Sequence, residues 1–172
     1  MRFETFSALA GISGRWPFDY GKVVQLLLAI SFDPRRGGFS VKNYSSEGVD
    51  LEMVRDQAKF AVEVKTTEGS SVKLSDKDIS GLQRKATIDK YTPVVAALQL
   101  QKSSDWVIAN ATRLEANDYT PSRLSLDSIP GLELLAKTHF ERTVMELRDR
   151  VLSPPGGSPL GFLSNFLLIE SQ

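Results

Sequence analysis

The residues of this sequence that could carry out chemistry are two acids and a lysine in the segment 49–65, namely Asp50, Glu63 and Lys65. If the segment is a β-hairpin, all three side chains share one face, and the Cβ atoms of Asp50 and Glu63 lie roughly 5 Å apart. Two carboxylates this close repel unless a cation or a shared proton neutralises them. Mg²⁺ binds one or two carboxylates together with water and substrate phosphate, and it activates water for attack on phosphorus. The three residues therefore indicate a site for phosphodiester hydrolysis, with Lys65 beside the attacking water. The alternative is a solvated face with surface ion pairs of little consequence.

The alternation of apolar and charged residues predicts the register of this hairpin. With a two-residue turn at Asp56 and Gln57, Leu51 pairs with Val62 and Asp50 with Glu63. A slightly longer loop is the alternative, because Asp-Gln lacks the Gly that such turns prefer. A slip by one residue would mix apolar and polar side chains on both faces, so the pattern favours this register. The apolar face then consists of Val49, Leu51, Met53, Phe60, Val62 and Val64.

Composition limits the chemistry further. The 172 residues include no cysteine and one histidine, which excludes thiolate catalysis and metal sites built on sulfur or on clustered histidines. The 21 basic residues balance the 21 acidic ones, so the chain has no overall field that would attract nucleic acid. Any surface that binds DNA must be local.

The elements that would position the site follow from hydrophobic periodicity. A helix is predicted from Asp19, the breakers at 33–38 end it, and a strand follows at 39–44. Ser75 and Asp78 form a capping box that begins a second helix, which runs to about Lys90. We further expect strands at 94–98 and 106–109, a loop at 115–130 and an amphipathic helix at 131–151. This order predicts a mixed α/β fold with helices packed on a central sheet.

The chain divides into an N-terminal lead-in (1–18), a central domain (19–151) and a linker with an apolar tail (152–172). The tail must dock either on its own domain or on a partner, such as the second copy in a homodimer. Because neither a signal peptide nor a membrane span is evident, a cytoplasmic protein is expected.

The run EGVDLEMVRDQAKFAVEVK and the residues after it resemble the core of PD-(D/E)xK nucleases, most of all the archaeal Holliday-junction resolvases, over about 19–110. The resemblance implies a restriction-endonuclease-like αβββαβ core, here with an added C-terminal helix and tail. It implies a Mg²⁺- or Mn²⁺-dependent endonuclease that acts as a homodimer on branched DNA in recombination and repair. Asp50 and Glu63 would be metal ligands and Lys65 the catalytic lysine, while the family's proline is replaced by Val49.

The first helix departs from the resolvases, which carry a metal-binding Glu there. Tyr20 or Gly21 stands at that position in this sequence, and Asp19 is the nearest acid. Asp19 is either a substitute metal ligand or a simple N-cap, and Gln25 is another polar residue that could contribute.

Six basic residues are candidate DNA contacts, and each is equally explained as an exposed charge: Arg35, Arg36, Lys73, Lys77, Arg84 and Lys85. If they bind DNA, they should gather around the site. Two alternatives to a resolvase stay open. One is a restriction-type or repair endonuclease acting on duplex DNA, and the other is a catalytically inactive DNA-binding or assembly module of the same fold.

Overall fold

A computed structural model describes residues 1–44, 48–100 and 105–170. The strands are β1 (Ser40–Asn43), β2 (Leu51–Arg55), β3 (Ala58–Thr67), β4 (Val72–Leu74), β5 (Thr92–Gln99), β6 (Val107–Asn110) and β7 (Asn117–Tyr119). The helices are α1 (Phe3–Arg15), α2 (Tyr20–Phe32), α3 (Asp76–Ile88), α4 (Pro121–Leu124), α5 (Pro130–Leu152) and α6 (Pro159–Glu170).

The centre of the fold is a mixed sheet with strand order β1-β2-β3-β5-β6. Its strands pair antiparallel except for β3 and β5, which run parallel and are joined through the crossover helix α3. The short strands β4 and β7 form a separate two-stranded sheet. This architecture confirms the predicted mixed α/β class with helices on a central sheet.

Two hydrophobic layers cover the two faces of the sheet. One face, which includes Leu51 and Val62, packs under α1, α2, α5 and α6. The other face, which includes Ala61 and Val95, packs under α3, α4 and β4. Helix α2 is enclosed by the sheet and by neighbouring helices, so Leu27 and Ile30 are fully buried. This enclosure explains why α2 is apolar on nearly every side.

Both ends of the described chain pack into the hydrophobic layer that contains α2. The lead-in contains the full helix α1, which contacts α5, and the apolar tail forms α6, which contacts α2. Leu163 of α6 is fully buried in the same hydrophobic layer as α2. Of the two docking modes that the sequence left open, the tail adopts packing on its own domain.

The predicted loop at 115–130 is wrong in part, because it contains β7 and α4. Tyr119 is buried and pairs with Val72 of β4, which makes β7 a strand despite its length of three residues. Thr120 caps α4 by accepting a hydrogen bond from the Arg123 N–H at 3.3 Å. So short a strand carries no periodic signal of its own.

Among the helices of the described ranges, none combines the length and the apolar character that crossing a membrane requires.

Candidate active site

The β2–β3 hairpin positions the acids at its open end. Leu51 lies opposite Val62, and Asp56 and Gln57 form the turn, so the predicted register is confirmed. Asp56 adopts a φ of 53°, the left-handed conformation that an Asp tolerates better than most residues. The hairpin therefore fixes which residues reach its open end.

Asp50 stands just before β2 and is tied to the neighbouring strand. Its backbone N–H donates to the carbonyl oxygen of Val62 at 3.0 Å, and its Oδ2 accepts from the N–H of Val64 at 2.9 Å. The prediction that Val49 lies on the apolar face with Leu51 is wrong. Val49 packs in the opposite hydrophobic layer because regular strand alternation begins only at Leu51.

Glu63 and Lys65 lie on β3 with their side chains toward α3. Glu63 is only 7% exposed, and its Oε1 lies 2.8 Å from the Nζ of Lys65. The same Nζ lies 2.8 Å from Oδ2 of Asp78 on α3. Lys65 is thus shared between one acid of the hairpin and one acid of the helix.

Asp78 was predicted only as part of a capping box, and that box is confirmed. Its Oδ2 accepts from the Ser75 N–H at 2.8 Å, and the Asp78 N–H donates to the Ser75 hydroxyl at 3.3 Å. Sequence reasoning missed its second contact, with Lys65. The capping box was the available signal, since it places an acid on the first turn of the helix that follows β3 and β4.

The close approach of two glycines holds α3 in place beside the site. A Cβ on Gly81 would lie 1.6 Å from the carbonyl oxygen of Gly48, so the helix and the backbone leading to Asp50 touch directly. Any larger residue at position 81 would push α3, and Asp78 with it, away from the hairpin.

The surroundings of Glu63 disfavour the ionised form of its carboxyl group. Burial, and then the nearby charge of Asp50, raise the pKa of Glu63 to about 7 despite the hydrogen bond from Lys65. Burial alone would lower the pKa of Lys65, but its bonds to Asp78 and Glu63 outweigh that effect and raise it. Burial would likewise raise the pKa of Asp78, yet the hydrogen bonds from Lys65 and Ser75 hold it below its ordinary value. Lys65 is therefore a charged ammonium. Its positive charge does not fully offset the effects of burial and of Asp50 on Glu63.

Helix α2 brings a lysine to the site, although the sequence offers Asp19 of the same helix start as a third acid. Lys22 Nζ lies 3.0 Å from Oδ1 of Asp50, and it donates to Oε1 of Gln25 at 2.9 Å. Asp19, one turn earlier, occupies the N-cap position, but its side chain makes no capping hydrogen bond. Gly21 faces Thr66, whose Oγ1 would be 3.9 Å from a Cβ at that position.

Four of the six basic residues lie on β4 or on α3, the helix that contributes Asp78. Lys77 precedes Asp78 on the exposed first turn of α3, Lys73 is exposed on β4, and the guanidinium of Arg84 reaches Gly48. Lys85 differs from these, because it forms ion pairs with the buried Glu52 and with Asp89. In this conformation its charge stabilises the fold.

Arg35 and Arg36 do not join this group, which corrects the expectation that all six basic residues gather around the site. Arg36 pairs with Asp33 at 2.7 Å and with Glu146 of α5 at 3.1 Å. Both arginines follow the C-terminal end of α2, whereas Lys22 lies in its first turn. The C-terminal end of α2, from which both arginines follow, lies roughly 15 Å along the helix axis from Lys22, at 1.5 Å per residue.

The donor set fits a divalent ion that is completed by water and substrate. Within the ranges that the structure describes, no group of three or more Asp, Glu, His or Cys residues could hold a metal by itself. Mg²⁺ commonly takes one or two protein carboxylates and fills its remaining positions with water and phosphate. Burial, and then the charge of Asp50, raise the pKa of Glu63 even though Lys65 donates to it, so a further positive charge would stabilise its carboxylate form.

One solved structure that resembles this chain is that of Hjc from Archaeoglobus fulgidus, described as a Holliday junction resolvase from an archaeal hyperthermophile. The two sequences are 20% identical, the match covers 56% of this chain and 82% of the other, and the TM-score is 0.46. No family model and no curated protein matches this sequence.

Proposed function

We propose that this protein is a divalent-metal-dependent DNA endonuclease with its active site at Asp50, Glu63 and Lys65. The observation that carries the proposal is the convergence of a buried acid, a second acid and a charged lysine at the open end of one hairpin. Mg²⁺ or Mn²⁺ would be held by Asp50 and Glu63. When bound, such an ion lowers the pKa of a coordinated water and stabilises negative charge on phosphate.

The residues of the chain would act around that ion in distinct ways. Lys65 is protonated, so it serves as a positive charge and hydrogen-bond donor beside the attacked phosphate rather than as a base. Asp78 would position Lys65 through the 2.8 Å contact. Hydrolysis adds one water across a phosphodiester bond and leaves a phosphate monoester on one product and a hydroxyl on the other.

For the substrate, we propose branched DNA, with cleavage by a homodimer in the manner of a junction resolvase. Exposed Lys73, Lys77 and Arg84 on the α3 side would contact phosphates near the site. Lys85 could join them only by leaving Glu52. The tail packs on its own domain, so it gives no support for a dimer. We propose the dimer because a four-way junction is symmetric and a symmetric pair of active sites would cut two of its strands.

A catalytically inactive DNA-binding or assembly module is the second candidate function. The ion pair between Lys22 and Asp50 favours it, because an ammonium on a ligand carboxylate weakens metal binding.

The test is cleavage of a four-way junction and of linear duplex with the same arm sequences, in Mg²⁺ and in EDTA. Paired nicks on opposite strands of the junction support the resolvase-like activity, whereas cuts at fixed positions in the duplex favour a restriction-type or repair nuclease. DNA binding without metal-dependent cleavage on any substrate identifies the inactive module.

A further inference from the structure

The ammonium of Lys22 lies where a cation would bind Asp50. Of the two carboxylate oxygens of Asp50, Oδ2 accepts the N–H of Val64, so Oδ1 is the oxygen that the β3 backbone engages less. The Nζ of Lys22 lies 3.0 Å from that Oδ1. The lysine therefore contacts the oxygen of Asp50 that is more available to a metal ion.

A buried amide holds Lys22 in this position. Gln25 is only 3% exposed, and its Oε1 accepts from the Nζ of Lys22 at 2.9 Å. The other end of the amide donates to Oδ1 of Asn43 at 2.7 Å, which fixes its orientation. Because the Lys22 side chain itself is 48% exposed, it has room to swing into solvent once its contact with Asp50 is broken.

The charges explain why this contact matters for metal binding. A divalent ion on Oδ1 of Asp50 would sit within a few ångströms of the Lys22 ammonium, where like charges repel strongly. The ion must therefore displace Lys22 or bind against its charge. Either route lowers the affinity of the site for the ion.

We propose that the Lys22 ammonium occupies the cation position on Asp50 when no metal is bound. It competes with the divalent ion for Asp50 and thereby sets the affinity of the protein for metal. This inference rests on the proposed function, since it assumes the metal site at Asp50 and Glu63. It adds that the chain keeps Asp50 neutralised without metal, and that metal binding requires release of Lys22.

The experiment measures Mn²⁺ binding to the full chain without DNA, from the electron paramagnetic resonance signal of free Mn²⁺. Lys22→Met should bind Mn²⁺ about tenfold more tightly than the unchanged protein. Lys22→Arg keeps the charge and should bind like the unchanged protein. The matched control is Lys137→Met. Lys137 lies on α5, and its Nζ pairs with Asp105 at 3.3 Å.

Equal or weaker Mn²⁺ binding by Lys22→Met, with clear binding by the unchanged protein, would overturn the inference and leave the proposed metal site intact. Binding only by Lys22→Met, and lost again when Asp50→Asn is added, would support the inference but contradict metal-dependent catalysis by the natural chain. Absence of binding in every variant would overturn both. Circular dichroism of each variant checks that it is folded.

Discussion

The Nζ of Lys65 on β3 and the Oδ2 of Asp78 on α3 lie 2.8 Å apart, so a capping residue of the helix also holds the lysine of the site. This contact joins the start of α3 to the hairpin. It gives Asp78 a role in positioning Lys65 as well as in stabilising the helix.

Replacing Asp78 by Asn should lower the cleavage rate by about tenfold or more, because Lys65 loses one of its two anionic partners. The same change weakens the capping box and should cost about 1 kcal/mol of the free energy of unfolding. Single-turnover cleavage and urea denaturation measure the two effects. Asp76→Asn is the matched control, since Asp76 is exposed on the same turn, and a rate loss as large in that variant would contradict the positioning role.

The raised pKa of Glu63 predicts how stability depends on pH without metal. The folded protein holds the Glu63 proton up to about pH 7, whereas the unfolded chain releases it near the ordinary value of 4.5. The free energy of unfolding should therefore fall as the pH rises from about 4.5 to about 7. Glu63→Gln has no carboxyl group to titrate, so its free energy of unfolding should not show this decrease. The difference between the variant and the unchanged protein should therefore shift in favour of the variant over that pH range, by roughly 3 kcal/mol at most.

Urea denaturation at several pH values in EDTA measures this trend. A difference between Glu63→Gln and the unchanged protein that stays constant with pH would contradict the raised pKa. Adding Mg²⁺ should restore part of the stability of the unchanged protein above pH 7 and leave Glu63→Gln unaffected, because ligand binding stabilises only the state that binds it.

Gly81→Ala should destabilise the protein by about 3 kcal/mol or more, because the added Cβ would overlap the carbonyl of Gly48. Gly11→Ala is the control in α1, where a Cβ would meet no atom within 4 Å. That change should stabilise the helix by roughly 0.5–1 kcal/mol. Thermal denaturation compares the two variants, and equal melting temperatures would contradict the close packing of α3 against Gly48.

Docking of the tail can be tested with two leucines of α6. Leu163 is fully buried, and Leu163→Ala should cost about 2–5 kcal/mol. Leu168 is 64% exposed, and Leu168→Ala should change stability by about 0.5 kcal/mol or less. A small effect at Leu163 in dilute, monomeric protein would show that α6 does not pack on α2 of the same chain.

The sequence predicted the local and strongly patterned parts of this structure. The hairpin register follows from alternation, because a slip at Leu51 or Val62 would expose apolar side chains. The capping box at Ser75 and Asp78 follows from two residue types at a fixed spacing. In both cases neighbours along the chain determine the outcome.

The remaining features depend on tertiary packing, which local patterns do not encode. Val49 faces the opposite layer because the strand begins at Leu51, two residues later than alternation indicated. The contact between Lys22 and Asp50 joins residues on separate elements, and no local spacing links the two positions. Likewise, only the packed fold separates Arg36 from the site and pairs it with Glu146.

The proposed nuclease activity is measured by the single-turnover cleavage rate of a four-way junction in Mg²⁺. We compare the unchanged protein with Asp50→Asn and Lys65→Met. The matched controls are Asp56→Asn and Lys59→Met, at the exposed tip of the same hairpin. We expect cleavage that EDTA abolishes, that falls by about a hundredfold or more in the two site variants, and that is unchanged in the two controls. Cleavage that persists in Asp50→Asn and Lys65→Met, or no metal-dependent cleavage by the unchanged protein, would contradict it.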